Sequence, residues 1–264
     1  MARESTTENS TWTILLLIPY LATICVILFR IPYIGGVLLF HGVPGAYLAV
    51  RNRHFVLRAI AFSLFASLPL ATLVDYIGTV NSLWLVPQSM FPRFLGIIPL
   101  EDYAWMITGT FTILMVWNLA RPVRDRNFSL LRVQLFTIVA AFLLAAFFAL
   151  QMTRGESFFE WHSRYLYFTL GTVFFALPSG ILGAHSPKSL KGALPAISYF
   201  FYVTCIFECV AIYASYWTFA GAYALPPLHV VGGLLPVEEL VFVGIVGSSL
   251  AVLLYELLTG APTR

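Results

Sequence analysis

Eight long apolar segments alternate with shorter polar ones along the chain. Each segment approaches the roughly 20 residues that an α-helix needs to cross about 30 Å of hydrocarbon. The segments are apolar on all sides and lack the alternation of a half-buried strand, so helices are favoured over a barrel. We therefore predict an all-α bundle of about eight transmembrane helices, at residues 13–29, 33–50, 56–80, 102–120, 131–151, 164–183, 193–217 and 238–258.

The composition supports a membrane protein. Hydrophobic residues make up 59% of the 264 residues and charged residues 10%, whereas a soluble domain carries about 25% charged residues. These values exclude a soluble enzyme, a disordered chain and a secreted disulfide scaffold. The three cysteines lie in apolar segments, where a thiol packs as a small hydrophobic group.

Arginine and lysine are unevenly distributed between the two sides that eight spans define. Eleven lie on the side of the termini and four on the other side. Because cytoplasmic loops are enriched in these residues, we expect a multi-pass protein of the cell membrane with both termini in the cytoplasm. The eleven are Arg3, Arg51, Arg53, Arg58, Arg121, Arg124, Arg126, Arg132, Lys188, Lys191 and Arg264. The four are Arg30, Arg93, Arg154 and Arg164.

One pattern occurs twice. An acid precedes a tryptophan by nine residues, first as Asp75 and Trp84 and again as Glu208 and Trp217. A glycine-containing loop then leads to a Pro-x-acid-acid-x-x-aromatic motif. The two copies of this motif are Pro99, Glu101, Asp102 and Trp105, and Pro236, Glu238, Glu239 and Phe242.

The duplication predicts two four-helix repeats, at residues 1–125 and 126–264. Four is an even number, so both repeats insert the same way up, related by an axis along the membrane normal. Both motifs then lie on the non-cytoplasmic side. We expect their carboxyls to converge on one cavity between the repeats.

The acids have structural as well as chemical explanations. Proline and carboxylates both suit the first turn of a helix, which accounts for a single Pro-x-acid-acid motif without any function. Neighbouring helix residues point about 100° apart, so one acid of each pair can face the bundle while the other caps the helix or meets water.

Asp75 and Glu208 are harder to explain structurally. With Trp84 and Trp217 at the membrane interface, each acid is expected about 13 Å deeper, nine residues along a helix. An ionised carboxylate at that depth costs at least about 2.5 kcal/mol. Such a carboxyl is expected to be protonated, paired or functional. Hydrogen bonding to polar neighbours is the structural alternative, and general acid chemistry is the functional one.

Aromatic side chains surround these acids in the sequence. Most aromatic residues in a membrane protein face lipid or pack, but an aromatic face also stabilises a cation in dry surroundings. Carboxyls with aromatic walls suit a reaction that protonates an alkene and passes through a carbocation. The candidate substrate-binding residues are Trp84, Trp217, Trp105, Phe242, Tyr76, Tyr103, Tyr213 and Tyr216.

Several membrane enzyme classes are not supported. The only lysines, Lys188 and Lys191, lie at a cytoplasmic span entrance, which excludes a retinal Schiff base within a helix. The histidines form no HxxxH cluster, so a di-iron oxygenase is not indicated. No DDxxD or G-x-G-x-x-G motif occurs, which argues against a magnesium-dependent prenyltransferase and a Rossmann flavoprotein.

The duplicated motifs resemble those of the membrane-integral lycopene cyclase family, which includes heterodimeric bacterial, fused archaeal and fungal cyclase-domain members. The resemblance covers nearly the whole chain. It departs from the family at the residues before each tryptophan, where glycine is usual, at Trp105 in place of phenylalanine, and in having eight spans instead of about seven. The matching residues are Asp75, Trp84, Pro99, Glu101, Asp102, Glu208, Trp217, Pro236, Glu238, Glu239 and Phe242.

The resemblance implies acid-catalysed, redox-neutral cyclisation of the ends of lycopene or a related linear carotene, with no cofactor and no metal. Glu101 and Glu238 are the first candidates for the acid, because the Pro-x-Glu position is identical in both copies. Asp75 and Glu208 come next, followed by Asp102 and Glu239. The expected partners are the carotenoid and the lipid bilayer, with self-association or contact with other carotenoid enzymes left open and nucleic acid excluded. The alternatives are a non-catalytic carotenoid- or lipid-binding protein and a proton-coupled transporter.

Overall fold

The structure is a computed structural model that describes residues 2–121 and 127–259, and for residues 2–8 the backbone alone. Eight helices in the described part are long and apolar enough to cross a membrane. This confirms the predicted all-α bundle with eight helices of spanning length. In chain order, the spans are Asn9–Phe29, Tyr33–Arg51, Arg53–Val80, Leu100–Ala120, Leu130–Arg154, Leu166–His185, Pro187–Tyr213 and Val237–Leu258.

The seventh span differs most from its prediction, which placed it at residues 193–217. It begins at Pro187, a residue that suits the first turn because its missing N–H has no partner to lose there. It ends at Tyr213, two residues before Ser215, whose φ of 56° is left-handed and cannot continue a right-handed helix. Tyr216 and Trp217 therefore belong to the loop that follows.

The third and seventh spans are each followed by a loop, and these two loops contact each other. Ser82, with φ of 55°, reverses the chain after the third span as Ser215 does after the seventh. Leu85 and Thr218 then pair antiparallel through two backbone hydrogen bonds of 2.9 Å. Each loop continues into a short β-hairpin before the next span. The hairpins pair Arg93–Phe94 with Ile98–Pro99, and Leu228–Val230 with Gly233–Leu235.

Three spans contain π-helical segments, at Leu38–Gly42, Thr172–Ala176 and Leu240–Gly247. Pro44 and Pro178 follow the first two, and a proline ring clashes with the carbonyl four residues earlier, which the wider π turn relieves. The sequence predicted these spans as helices but gave no sign of the π-helical segments in the second, sixth and eighth.

The fourth span lies at the centre of the bundle, where it packs against the second, third, seventh and eighth spans, and the seventh and eighth also pack on each other. The first span packs against the seventh. The fifth span is outermost. In its most apolar 18-residue stretch 6% is buried inside the protein, against 61% in the corresponding stretch of the seventh span. The apolar surface of the fifth span is therefore free to face lipid.

Some predictions fall on residues that the structure does not describe. The boundary between residues 125 and 126 lies there, as do Arg124, Arg126 and Arg264. The side chain of Arg3 is likewise outside the described part.

Candidate functional site

A cavity lies between the two sets of four spans, with about 680 Å³ of free volume including its mouth. Three carboxyls line it: Asp75 from the third span, Asp102 from the fourth and Glu239 from the eighth. Their exposed fractions are 6%, 6% and 7%. Among the described residues that line the cavity there is no lysine, arginine or histidine, so no basic side chain pairs with its carboxyls at the wall.

Two of the carboxyls accept a hydrogen bond from a tyrosine hydroxyl. Tyr33 Oη donates to Asp102 Oδ1 over 2.8 Å, and Tyr167 Oη donates to Glu239 Oε2. Tyr33 begins the second span and Tyr167 lies in the first turn of the sixth, so each set of four spans contributes one tyrosine–carboxyl pair. These bonds fix one oxygen of each carboxyl against the cavity wall.

The remaining carboxyl oxygens are less satisfied. Asp102 Oδ2 and Asp75 Oδ2 are buried and have no hydrogen-bond partner among the described residues. A buried polar atom without a partner costs about 1–3 kcal/mol. Such a cost is expected where a group must interact with something other than the protein itself.

Aromatic rings form most of the cavity wall and come from both sets of spans. Tyr33 meets Trp217 edge to face, with ring centroids 5.2 Å apart. Tyr167 meets Trp84 in the same way at 5.5 Å. Each tyrosine thus contacts the tryptophan of the other set, and the cavity depends on both. The lining aromatic residues are Tyr33, Trp84, Trp105, Tyr167, Phe175, Trp217, Phe219 and Phe242.

Trp217 does not lie about 13 Å from Glu208, and that expectation was wrong for this pair. Trp217 Nε1 donates a hydrogen bond of 3.0 Å to Glu208 Oε2, and Trp84 lines the same cavity as Asp75. The physical reason is the left-handed residue after each helix, which turns the loop back onto the helix end instead of continuing outward. Gly78 allows the return of Trp84, because a Cβ there would lie 2.2 Å from its ring.

Glu101 and Glu238 are fully buried but do not line the cavity. Glu101 Oε1 accepts hydrogen bonds from the N–H groups of Met90, at 2.5 Å, and Phe91, at 3.3 Å. Its Oε2 accepts another from Ser89 Oγ at 2.9 Å. Glu238 Oε1 accepts one from the Leu225 N–H at 2.8 Å.

In each acid pair, one carboxyl therefore faces the cavity and its neighbour holds a loop. Glu208 also lies outside the cavity lining and acts on it through Trp217. The six predicted acids do not all converge on the cavity, because residues adjacent on a helix point about 100° apart.

Half of the predicted aromatic residues lie outside the cavity wall. Tyr76 packs against Phe147 at 4.9 Å between ring centroids, and the Tyr103 hydroxyl bonds to Thr72 Oγ1 at 2.9 Å. Tyr213 and Tyr216 line a separate surface groove. Trp84, Trp105, Trp217 and Phe242 do line the cavity.

The sequence reasoning missed Tyr33 and Tyr167. They lie 134 residues apart, close to the 133-residue spacing of the acids and tryptophans, and this spacing is the signal that could have identified them.

Two further phenols lie in the returning loops and stay neutral. Burial raises the pKa of Tyr216 to about 12, and its hydroxyl donates to the Ile31 carbonyl oxygen over 2.6 Å. Burial also raises the pKa of Tyr223, which donates to the Leu83 carbonyl oxygen. Arg93, the cation nearest these loops in sequence, donates to the carbonyls of Ile97 and Val86.

No protein-family model, curated protein or solved structure matches the chain. Within residues 2–121 and 127–259, no three His, Cys, Asp or Glu side chains are grouped to hold a metal ion. The geometry of the cavity and the chemistry of its carboxyls are therefore the features that point to a function.

Proposed function

We propose that the protein is a membrane carotenoid cyclase that closes rings at the ends of lycopene or a related linear carotene without a cofactor. One observation carries the proposal: three buried carboxyls face a single apolar cavity with aromatic walls. An apolar cavity admits a hydrocarbon, and the carboxyls supply both a proton donor and a proton acceptor. Few other reactions of a hydrocarbon need this combination.

The reaction begins with proton transfer from Asp75 to the terminal double bond of the carotene. We assign the donor role to Asp75 because, unlike Asp102 and Glu239, it accepts no tyrosine hydrogen bond that would stabilise its carboxylate, and its Oδ2 has no partner among the described residues. The cation forms on the tertiary carbon, and the π electrons of the neighbouring double bond form the new ring bond.

A carboxylate then removes a proton from the ring and leaves a ring double bond. We assign this step to Asp102, because Tyr33 donates to its Oδ1 and stabilises the carboxylate, while its Oδ2 has no hydrogen-bond partner among the described residues and is free to accept the proton. Glu239 faces the same cavity and accepts a hydrogen bond from Tyr167. One proton enters the carotene and one leaves it, so the reaction needs no oxidant or reductant. A positioned acid or base contributes about 100- to 10,000-fold to the rate of such a step.

The aromatic wall stabilises the intermediate cation. A ring face within about 6 Å of a cation contributes about 2 kcal/mol or more when water is excluded. Trp84 and Trp217 line the cavity from the two returning loops, and Trp105 is 6.2 Å from Trp217 between ring centroids. The cation therefore forms among several rings instead of in bulk hydrocarbon.

We further propose that the chain consists of two parallel four-helix repeats in the cell membrane, with both termini cytoplasmic. The paired π-helical segments, the two left-handed serines and the two tyrosine–carboxyl pairs support the duplication. Eight helices of spanning length support the multi-pass arrangement. Reporter fusions after residue 264 test the orientation, because a reporter active only outside the cytoplasm should be inactive there.

Expression in lycopene-producing bacteria tests the function. Wild-type protein should convert lycopene to products with one or two rings, separated by pigment chromatography. Asp102→Asn should leave lycopene unchanged while the protein still accumulates in the membrane. Glu156→Gln, at an exposed acid outside the cavity, is the matched control and should behave as wild type. Lycopene left unchanged by abundant wild-type protein would contradict the proposal.

A proton-coupled transporter is the second candidate. The observation that favours it is the π-helical geometry in three spans, because irregular helix within a membrane often marks a functional site. In liposomes, a transporter would move protons together with a solute and leave lycopene unchanged. Bound but unchanged lycopene without proton movement would instead indicate a carotenoid-binding protein.

A further inference from the structure

A second cavity adjoins the first, with about 640 Å³ of free volume including its open mouth. Four residues line both cavities: Trp105, Met106, Phe175 and Val243. The second cavity follows the spans away from the carboxyls. On the third span, Asp75 lines the first cavity and Phe62 lines the second. These residues are thirteen positions apart, which is about 20 Å along the helix. The two cavities therefore lie next to each other along the spans, separated by shared lining residues, with the carboxyls at the far end of the first.

The second cavity has an uncharged wall. Among the described residues that line it there is no Asp, Glu, Lys or Arg. The Ser67 hydroxyl bonds to Thr110 Oγ1 at 3.1 Å, and the Ser248 hydroxyl donates to the Gly244 carbonyl over 2.7 Å. With these hydroxyls already paired within the protein, the wall offers a polar ligand little to bind, whereas an apolar chain loses nothing by entering.

Small side chains create the space in this cavity. Ala66 of the third span, Gly109 of the fourth and Ala251 of the eighth face it from three sides. At Gly109 an added Cβ would meet Phe200 at 3.5 Å, an ordinary contact, so the helix packing does not itself demand glycine there. The missing side chain leaves room for something other than protein.

We propose that the second cavity binds the stretch of linear polyene next to the reacting end, and that Ala66 and Gly109 determine whether a long chain is accepted. This inference rests on the proposed function, because it takes the reacting end to lie among the carboxyls. A ligand in this position has only one end at the carboxyls. A product with two rings then requires the polyene to leave and return reversed, and the one-ring product is released between the two steps.

Substitutions that fill the second cavity test the proposal. Ala66→Phe places a phenyl ring in the cavity, whereas Ala61→Phe, one and a half turns earlier on the same span, places it on the exposed face and is the matched control. Gly109→Leu fills the cavity from a different helix and serves as the second variant. Purified protein is given either lycopene or a short terpene of two isoprene units with the same end group.

Ala66→Phe and Gly109→Leu should each lower lycopene turnover at least about tenfold, because the filled cavity cannot repack around the chain. Turnover of the short terpene should stay within about twofold, since general acid chemistry at the carboxyls is untouched. Ala61→Phe should change neither. Unchanged lycopene turnover in either cavity variant, or equal loss of both substrates in both variants, would overturn the proposal. Wild-type protein that cyclises neither substrate would instead refute the proposed function.

Discussion

Glu101 and Asp102 are neighbours on one helix turn, and substitutions at the two should have opposite effects. Glu101 holds the loop before the fourth span through three hydrogen bonds, whereas Asp102 faces the cavity. We predict that Glu101→Ala destabilises the protein, that Glu101→Gln destabilises it less and retains cyclisation, and that Asp102→Asn abolishes cyclisation without unfolding the protein.

The size of each effect follows from the contacts. A hydrogen bond to a charged group contributes about 1.5–3 kcal/mol. The three bonds share one carboxyl and the freed loop groups gain water, so Glu101→Ala should cost about 2–4 kcal/mol in total. For a chain of this size, that loss corresponds to a melting temperature lower by about 5–15 °C. Glutamine keeps an acceptor oxygen for the two N–H groups, so Glu101→Gln should cost no more than about 1–2 kcal/mol.

The rates separate the two positions more sharply. Asp102→Asn removes a proton-transferring group and should lower product formation by about 100- to 10,000-fold. Glu101→Gln should retain a rate within about tenfold of wild type, because no transferred proton passes through it. Thermal unfolding in detergent measures the stability, and chromatography of cyclised carotene measures the rate. A normal rate for Asp102→Asn, or a folded but inactive Glu101→Gln, would refute the division of roles.

Three further substitutions test other parts of the site. Tyr33→Phe should lower kcat about tenfold with KM unchanged, because the lost hydrogen bond positions the Asp102 carboxyl and does not contact the carotene. A wild-type kcat would contradict this. Gly78→Ala should destabilise the protein by about 1–3 kcal/mol, since its Cβ would overlap Trp84, whereas Gly180→Ala meets nothing within 4 Å and should be tolerated; equal melting temperatures would contradict this. Burial raises the pKa of Tyr216 to about 12, so its contribution to stability is complete below pH 10 and is lost as the pH rises towards 12. The melting temperature of Tyr216→Phe should therefore fall less between pH 10 and pH 12 than that of the wild type.

The spans could be predicted from the sequence because a helix of spanning length needs a continuous run of apolar residues, which is a local property of the chain. The same runs of apolar residues placed Asp75, Asp102 and Glu239 within predicted helices. The choice between Glu101 and Asp102 could not be predicted, because it depends on the rotation of the fourth span at its first turn. The identity of the two Pro-x-Glu positions favoured Glu101, but in the structure that shared glutamate holds a loop.

The contacts that close the cavity are long-range and were not visible in the sequence. Tyr33 and Asp102 lie 69 residues apart, and the loops that pair at Leu85 and Thr218 belong to different halves of the chain. The return of Trp217 onto Glu208 depends on a left-handed serine, a conformation for which glycine or asparagine would have been the usual signal. The arrangement of the residues that form the cavity wall could therefore not be predicted from the sequence.

In the proposed mechanism, a carboxyl of this cavity donates a proton to a carotene end and a second carboxyl removes another. Purified protein supplied with lycopene in heavy water, without added cofactor, distinguishes this mechanism from any that does not protonate the substrate. Exchangeable carboxyl protons become deuterons, so each ring formed should carry one deuterium atom, measured by mass spectrometry of the product. Asp75→Asn should form no product under the same conditions. Cyclic product without deuterium, or folded wild-type protein that forms no cyclic product, would contradict the account.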